Sequence, residues 1–160
     1  MATKTNRIQW RRRKHIRLPS PDYRTQGAWY FVTVCCKDKE PHFQEGKVRT
    51  LVANILRETA QRNHVELAAY TVLPNHVHLI CSAGEDGVIG FVRRLKGRAT
   101  AEIRQRFGKR QIWQPSFFDH KLRSEESLRQ KCLYVWLNPV RRGLARTIDD
   151  YPWSGRVLTV

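Results

Sequence analysis

The sequence predicts an α+β domain: an antiparallel sheet in β-α-β-β-α-β order, with two helices on one face and a third helix after the last strand. Three observations predict it. Short runs rich in β-branched and aromatic residues fall near 28–37, 65–81 and 111–122. Two longer segments between them place apolar residues at helical spacing. Pro74-Asn75 supplies turn chemistry in the middle of the second run, which divides it into a hairpin. The order is that of the ferredoxin-like split βαβ unit. A chain of 160 residues that is 41% hydrophobic suits one domain with one real core.

The elements follow in chain order. Residues 1–24 are basic, contain Pro19 and Pro21 and lack periodicity, so they read as an arm. Ala28 to Lys37 (AWYFVTVCCK) reads as the first strand. Lys47 to Asn63 places Val48, Leu51, Val52, Ile55, Leu56 and Thr59 on one helical face. Val65 to Val72 and Val77 to Cys81 read as the hairpin strands. Val88 to Phe107 carries Ile89, Val92, Leu95, Ala99, Ile103 and Phe107 on one side and basic residues on the other. Gln111 to Leu122 reads as a fourth strand, bent at Pro115. Ser124, followed by Glu125 and Glu126, is an N-cap signal for a third helix. That helix is expected to stop at Asn138-Pro139, because proline disfavours helical geometry in the residue before it. The domain is expected to span 25–146, with 147–160 as a tail.

Thirty Lys and Arg against 14 Asp and Glu give a net charge of +16. The surplus sits in three segments: 1–24 at +7, 91–110 at +7 and 121–146 at +5, with the remainder near neutral. Three basic segments on a neutral scaffold read as a phosphate-binding footprint. Expected phosphate contacts are Arg11, Arg12, Arg13 and Lys14 in the arm and Arg93, Arg94, Lys96 and Arg98 on the second helix. No apolar run approaches the ~20 residues that cross a bilayer, and the polar N-terminus does not read as a secretory signal. Cys35, Cys36, Cys81 and Cys132 show no CxxC spacing, so reduced thiols and a cytoplasmic, nucleoid-associated location are expected.

Two patterns bear on chemistry. In a strand, His76 and His78 project to the same face ~7 Å apart and can converge on one ion. A lone His-x-His is more often a hydrogen-bonded pair. On a helix, Tyr134 and Asn138 are four residues apart and share a face. A tyrosine hydroxyl is a nucleophile once activated, and a carboxamide oxygen suits a hard cation. Alone, Tyr134 reads equally as core and Asn138 as a helix stop. Asp119 and His120 are possible auxiliary groups, for phosphate holding, proton transfer or support of an imidazole. The glycines at 84, 87 and 90 lack the Lys-Ser/Thr ending of a phosphate-binding loop.

Four stretches, in this order, resemble the IS200/IS605-like tyrosine (Y1) transposases of the HUH superfamily, and most nearly the REP-associated tyrosine transposases. They are Tyr70 to Leu79 (YTVLPNHVHL), Trp113-Gln114 with Phe117 to His120, Tyr134 through Asn138 to Leu144, and Tyr151 to Ser154. Together they cover roughly 25–155. The resemblance implies a nuclease-transposase that acts on single-stranded DNA at an imperfect, REP-like hairpin. It implies His76 and His78 as metal ligands, Asn138 as the third, and Tyr134 as the nucleophile that becomes linked to a 5′ phosphate. The carboxamide oxygen makes Mg²⁺ or Mn²⁺ the expected cofactor, Arg141 and Arg142 of the third basic segment are further expected DNA contacts, and the resemblance implies a monomer or a homodimer. The competing expectation is a structured-DNA or RNA binder without cleavage, which the charge and the tryptophans would also support. A weaker one is a zinc hydrolase built on the two histidines.

Overall fold

The computed structural model describes residues 23–157. Strands β1 (Trp29–Cys35), β2 (Leu67–Leu73), β3 (His76–Ser82), β4 (Phe118–Leu122) and β5 (Ser154–Arg156) form one sheet in the order β4-β1-β3-β2-β5. Every neighbouring pair is antiparallel. Helices α1 (Gly46–Arg62) and α2 (Gly87–Phe107) cover one face, and α3 (Glu125–Trp136) lies on the other. The expected β-α-β-β-α-β order with a further helix is therefore the observed one.

Alternation along the strands creates the layers. In β1, Tyr30, Val32 and Val34 are buried toward α1 and α2, while Trp29, Phe31, Thr33 and Cys35 face the other way, half-buried. The central strands β2 and β3 are buried on both faces, Ser82 excepted, as their positions between two helical layers require. The larger core joins Val48, Val52, Ile55 and Leu56 of α1 to Phe91, Val92, Leu95 and Ile103 of α2. The smaller core sets Leu128, Cys132 and Val135 of α3 on Ala68, Ala69 and Ile80. The two alanines let the helix approach the sheet. Ser124 caps α3 as expected, its hydroxyl accepting from the Ser127 N–H at 3.1 Å.

Four boundaries differ from the sequence reading. The fourth strand begins only at Phe118, and before it one bridge joins Trp113 to Cys36. Pro115 offers no N–H and Ser116 takes a φ of 66°, so the ladder cannot run through them. The Lys96 ammonium on α2 instead donates to the carbonyls of Gln114 and Ser116, and the Trp113 indole donates to the Lys96 carbonyl. Next, α3 ends at Trp136, and a short helix α4 (Asn138–Arg141) begins after Leu137. Pro139 sits in the first turn of α4, where its missing N–H costs nothing.

Within the stretch expected as a tail, Ser154–Arg156 join the sheet as β5. Thr147 and Asp150 form a capping box. The buried Tyr151 hydroxyl donates to the Val72 carbonyl at 2.7 Å. The Arg49 guanidinium lies over the Trp153 ring at 3.9 Å, and β5 pairs with β2. Finally, Tyr23, expected within the arm, is buried in the larger core. Residues 1–22, including Arg11, Arg12, Arg13 and Lys14, lie outside the described residues.

Gly155 is the tightest point of the β5 attachment. A methyl group there would lie 2.3 Å from Cε1 of Tyr70, which is itself buried. Gly155→Ala is expected to lower stability by about 1–3 kcal/mol, through displacement of Tyr70 or of β5. An unchanged urea midpoint would show that the strand contributes little.

Candidate active site

The β2–β3 turn is Pro74-Asn75, since Leu73 pairs directly with His76. Two backbone bonds fix it: the Phe43 N–H donates to the Pro74 carbonyl and the Cys36 N–H to the Asn75 carbonyl, each at 2.8 Å. From this turn His76 and His78 project to the α3 side, together with Ile80, while Val77, Leu79 and Cys81 enter the larger core. The two imidazoles meet with ring centroids 4.6 Å apart and their Nε2 atoms 3.1 Å apart. Each Nδ1 has its own partner. That of His76 lies 2.6 Å from Asn75 Oδ1, and that of His78 lies 2.8 Å from Thr33 Oγ1.

Both rings are buried, and burial disfavours the imidazolium form. Desolvation, then the charges of Arg142 and Lys39, hold His76 down to about 4. Desolvation, then His76, Arg142 and Lys131, hold His78 down to about 3. Both are neutral near pH 7 and have lone pairs to donate. The charges acting on them are cationic, which suits an approaching phosphate.

Tyr134 lies in the same place. Its ring is 6.2 Å from that of His78 and meets Phe31 edge-on at 6.1 Å. The Arg141 guanidinium stands 4.7 Å from its centroid and the Lys131 ammonium 5.4 Å. The ring is half-buried, not sealed in the core. Asn138 is 3% exposed and its Oδ1 has no hydrogen-bond partner. A buried, unpartnered amide oxygen is costly and calls for a ligand. Asn138 belongs to α4, and Arg142, which follows that helix, acts on both histidines. Two neutral imidazoles and an orphaned hard oxygen fit a divalent cation. Among the described residues, no group of three His, Cys, Asp or Glu gathers into an alternative metal site.

Other expected residues lie elsewhere. Asp119 pairs with Val32 and so faces the larger core, where it accepts from the Tyr23 hydroxyl at 3.1 Å. It stands on the wrong side of the sheet to orient either imidazole. His120 pairs with Phe31 and therefore stands on the site face, but on an exposed edge strand. The α2 cluster is also remote, because α2 covers the opposite face of the sheet. Arg94 pairs with Asp86, Arg98 with Glu58, and Lys96 holds the 114–116 loop, while Arg93 is exposed.

The sequence reading missed Thr33, Asn75, Phe31 and Lys131 as parts of this site. Lys131 was findable, being three residues before Tyr134 on one helix. Asn75 was read only as turn chemistry. Thr33 gave no local signal, since its place depends on its pairing with His78 across the sheet.

Comparison with known proteins bears on the family of the chain. A family model described as transposase, IS200 like, matches residues 24–135, a span that includes His76, His78 and Tyr134. The chain is 28% identical over 134 residues to the REP-associated tyrosine transposase of Escherichia coli (strain K12), covering 82% of this chain and 78% of that protein. It is 31% identical over 80 residues to the ISDra2 transposase TnpA of Deinococcus radiodurans, covering 45% of this chain and 57% of that one. Among solved structures, that of a REP-associated tyrosine transposase bound to a REP hairpin matches with a TM-score of 0.70 at 25% identity, over 82% of this chain and 78% of that one. Among the described residues no helix is long and apolar enough to cross a membrane.

The buried histidines set an acid limit on the fold. Unfolded, both would protonate near their ordinary value of 6.5, whereas folded they do so only near 4 and 3. Between those values the unfolded chain binds more protons, so stability falls as pH drops below 6.5. Denaturation at pH 7.5, 6 and 5 should show this loss. His78→Gln should reduce it, each ring accounting for on the order of 2 kcal/mol by pH 4.

Proposed function

The chain belongs to the IS200-like transposase family, and on that premise we propose that it cuts and rejoins single-stranded DNA beside a hairpin, with Tyr134 as nucleophile and His76, His78 and Asn138 as holders of a divalent cation. The observation that carries this reading is the meeting of Tyr134 with His78, 6.2 Å between rings, on the face of the sheet covered by α3, and the buried Asn138 oxygen on the following helix, which has no hydrogen-bond partner, is consistent with it. The hairpin-bound state of the structural relative supports a hairpin as the partner.

The chemistry follows from the residues. The Tyr134 oxygen attacks a backbone phosphorus. A bond forms from phosphorus to the phenolic oxygen, and the bond to the 3′ oxygen breaks. The phenolic proton leaves and the departing oxygen gains one, giving a free 3′-OH and a 5′-phosphotyrosine. One phosphodiester replaces another, so the step is close to balanced in energy and a 3′-OH can reverse it.

A cation bound here would supply Lewis-acid polarisation of the phosphate. The Nε2 separation of 3.1 Å is about that of two neighbouring ligands on one ion with metal–nitrogen bonds of about 2.1 Å. The carboxamide oxygen favours a hard ion such as Mg²⁺ or Mn²⁺. Lys131 and Arg141 beside Tyr134, and Arg142 near the histidines, balance phosphate charge. Tyr134 adjoins a histidine of its own chain, which supports a site complete within one subunit.

Incubation with a labelled hairpin oligonucleotide and Mg²⁺ or Mn²⁺ should give a covalent adduct on a denaturing gel. Tyr134→Phe should lower its yield by about 10³-fold or more. An equal adduct from that variant would refute the nucleophile. Asn138→Ala should raise the Mg²⁺ concentration needed for half-maximal cleavage by about tenfold or more. Salt-sensitive hairpin binding without cleavage under either ion would leave a binding protein.

A further inference from the structure

The hydrogen bonds around the two imidazoles run in one direction, and they end differently on the two sides. Asn75 Nδ2 donates to the Lys39 carbonyl at 3.2 Å, which fixes which end of the amide is oxygen. Asn75 Oδ1 therefore faces His76 Nδ1 at 2.6 Å and can only accept. The His76 hydrogen must be on Nδ1, and its Nε2 carries a lone pair. His78 Nε2 lies 3.1 Å away, and in a metal-free protein it would have to supply the hydrogen of that contact. Its own Nδ1 then has a lone pair and accepts from the Thr33 hydroxyl at 2.8 Å. A cation between the rings needs both Nε2 lone pairs. His76 already presents one, whereas His78 must change tautomer.

We infer that Asn75 locks His76 in the Nδ1–H form, while the Thr33 hydroxyl, able to donate or accept, lets His78 carry its hydrogen on Nε2 without metal and on Nδ1 with it. The second half rests on the cation reading above. On metal entry the Nε2 hydrogen of His78 passes to water and Nδ1 takes a proton from water, so both rings stay neutral and no net proton is released. The Thr33 hydroxyl turns from donor to acceptor. Thr33 is thus a positioning residue, placed by its register opposite His78.

Long-range ¹H–¹⁵N spectra of the full chain report tautomers directly. Without divalent ions, His76 should be Nδ1–H and His78 Nε2–H. Titration with Mg²⁺ should convert His78 to Nδ1–H and leave His76 unchanged. Thr33→Val, checked for folding by its amide spectrum, should weaken Mg²⁺ binding about tenfold, and Thr33→Ser should restore it. His76 as Nε2–H, or His78 as Nδ1–H in the metal-free protein, would overturn the inference even if Mg²⁺ bound at the rings. Wild-type Mg²⁺ binding by Thr33→Val would overturn the role of Thr33. The expected metal-free tautomers with no response of either ring to Mg²⁺ would overturn the switch together with the cation reading, and leave the metal-free hydrogen order standing.

Discussion

The pairing register of β1 with β3 is the constraint on which the site depends. Thr33 opposite His78 and Cys35 opposite His76 place both imidazoles on the α3 side of the sheet. A slip of one residue would send them into the apolar layer under α1 and α2 and bring Val77 and Leu79 out. That layer resists the slip, because Val77, Leu79 and Cys81 fill it alongside Tyr30, Val32 and Val34. The hydrophobic packing of one face thus fixes the chemistry of the other. The Pro74-Asn75 turn, tied by its carbonyls to Phe43 and Cys36, sets where the count of alternation begins.

The sequence made the helices and the hairpin legible because their signals are local. Val48, Val52, Ile55 and Leu56, and likewise Val92, Leu95, Ala99 and Ile103, recur at helical spacing and are buried. The shared face of His76 and His78 follows from alternation alone. What was not legible depends on partners distant in sequence. Asp119 and His120 are adjacent, and only the register against Val32 and Phe31 decides which of them faces the site. The three residues of β5 are too few to show a period, and Tyr151 and Trp153 were silent about where they pack. Cationic residues are the least legible, because charge in the sequence does not show which acid or ring each one meets. Arg98 holds Glu58, whereas Arg141 reaches Tyr134.

The site also illustrates how burial and function are compatible in a basic protein. Lys39, Lys131 and Arg142 would make charged histidines costly, and the fold avoids the conflict by keeping both rings neutral. The positive field of these side chains then acts on a neutral pair of rings. Belonging to the IS200-like transposases, a family of DNA-processing proteins, is consistent with an anionic partner of that kind.

One consequence follows from β5. It borders β2, the strand that leads into the histidine turn, and it is held by Tyr151 through the Val72 carbonyl. Its residues are the last described part of the chain to leave the ribosome, well after Asn138. Were β5 not docked, the edge of β2 beside the histidine turn would lie open to pairing with a foreign strand.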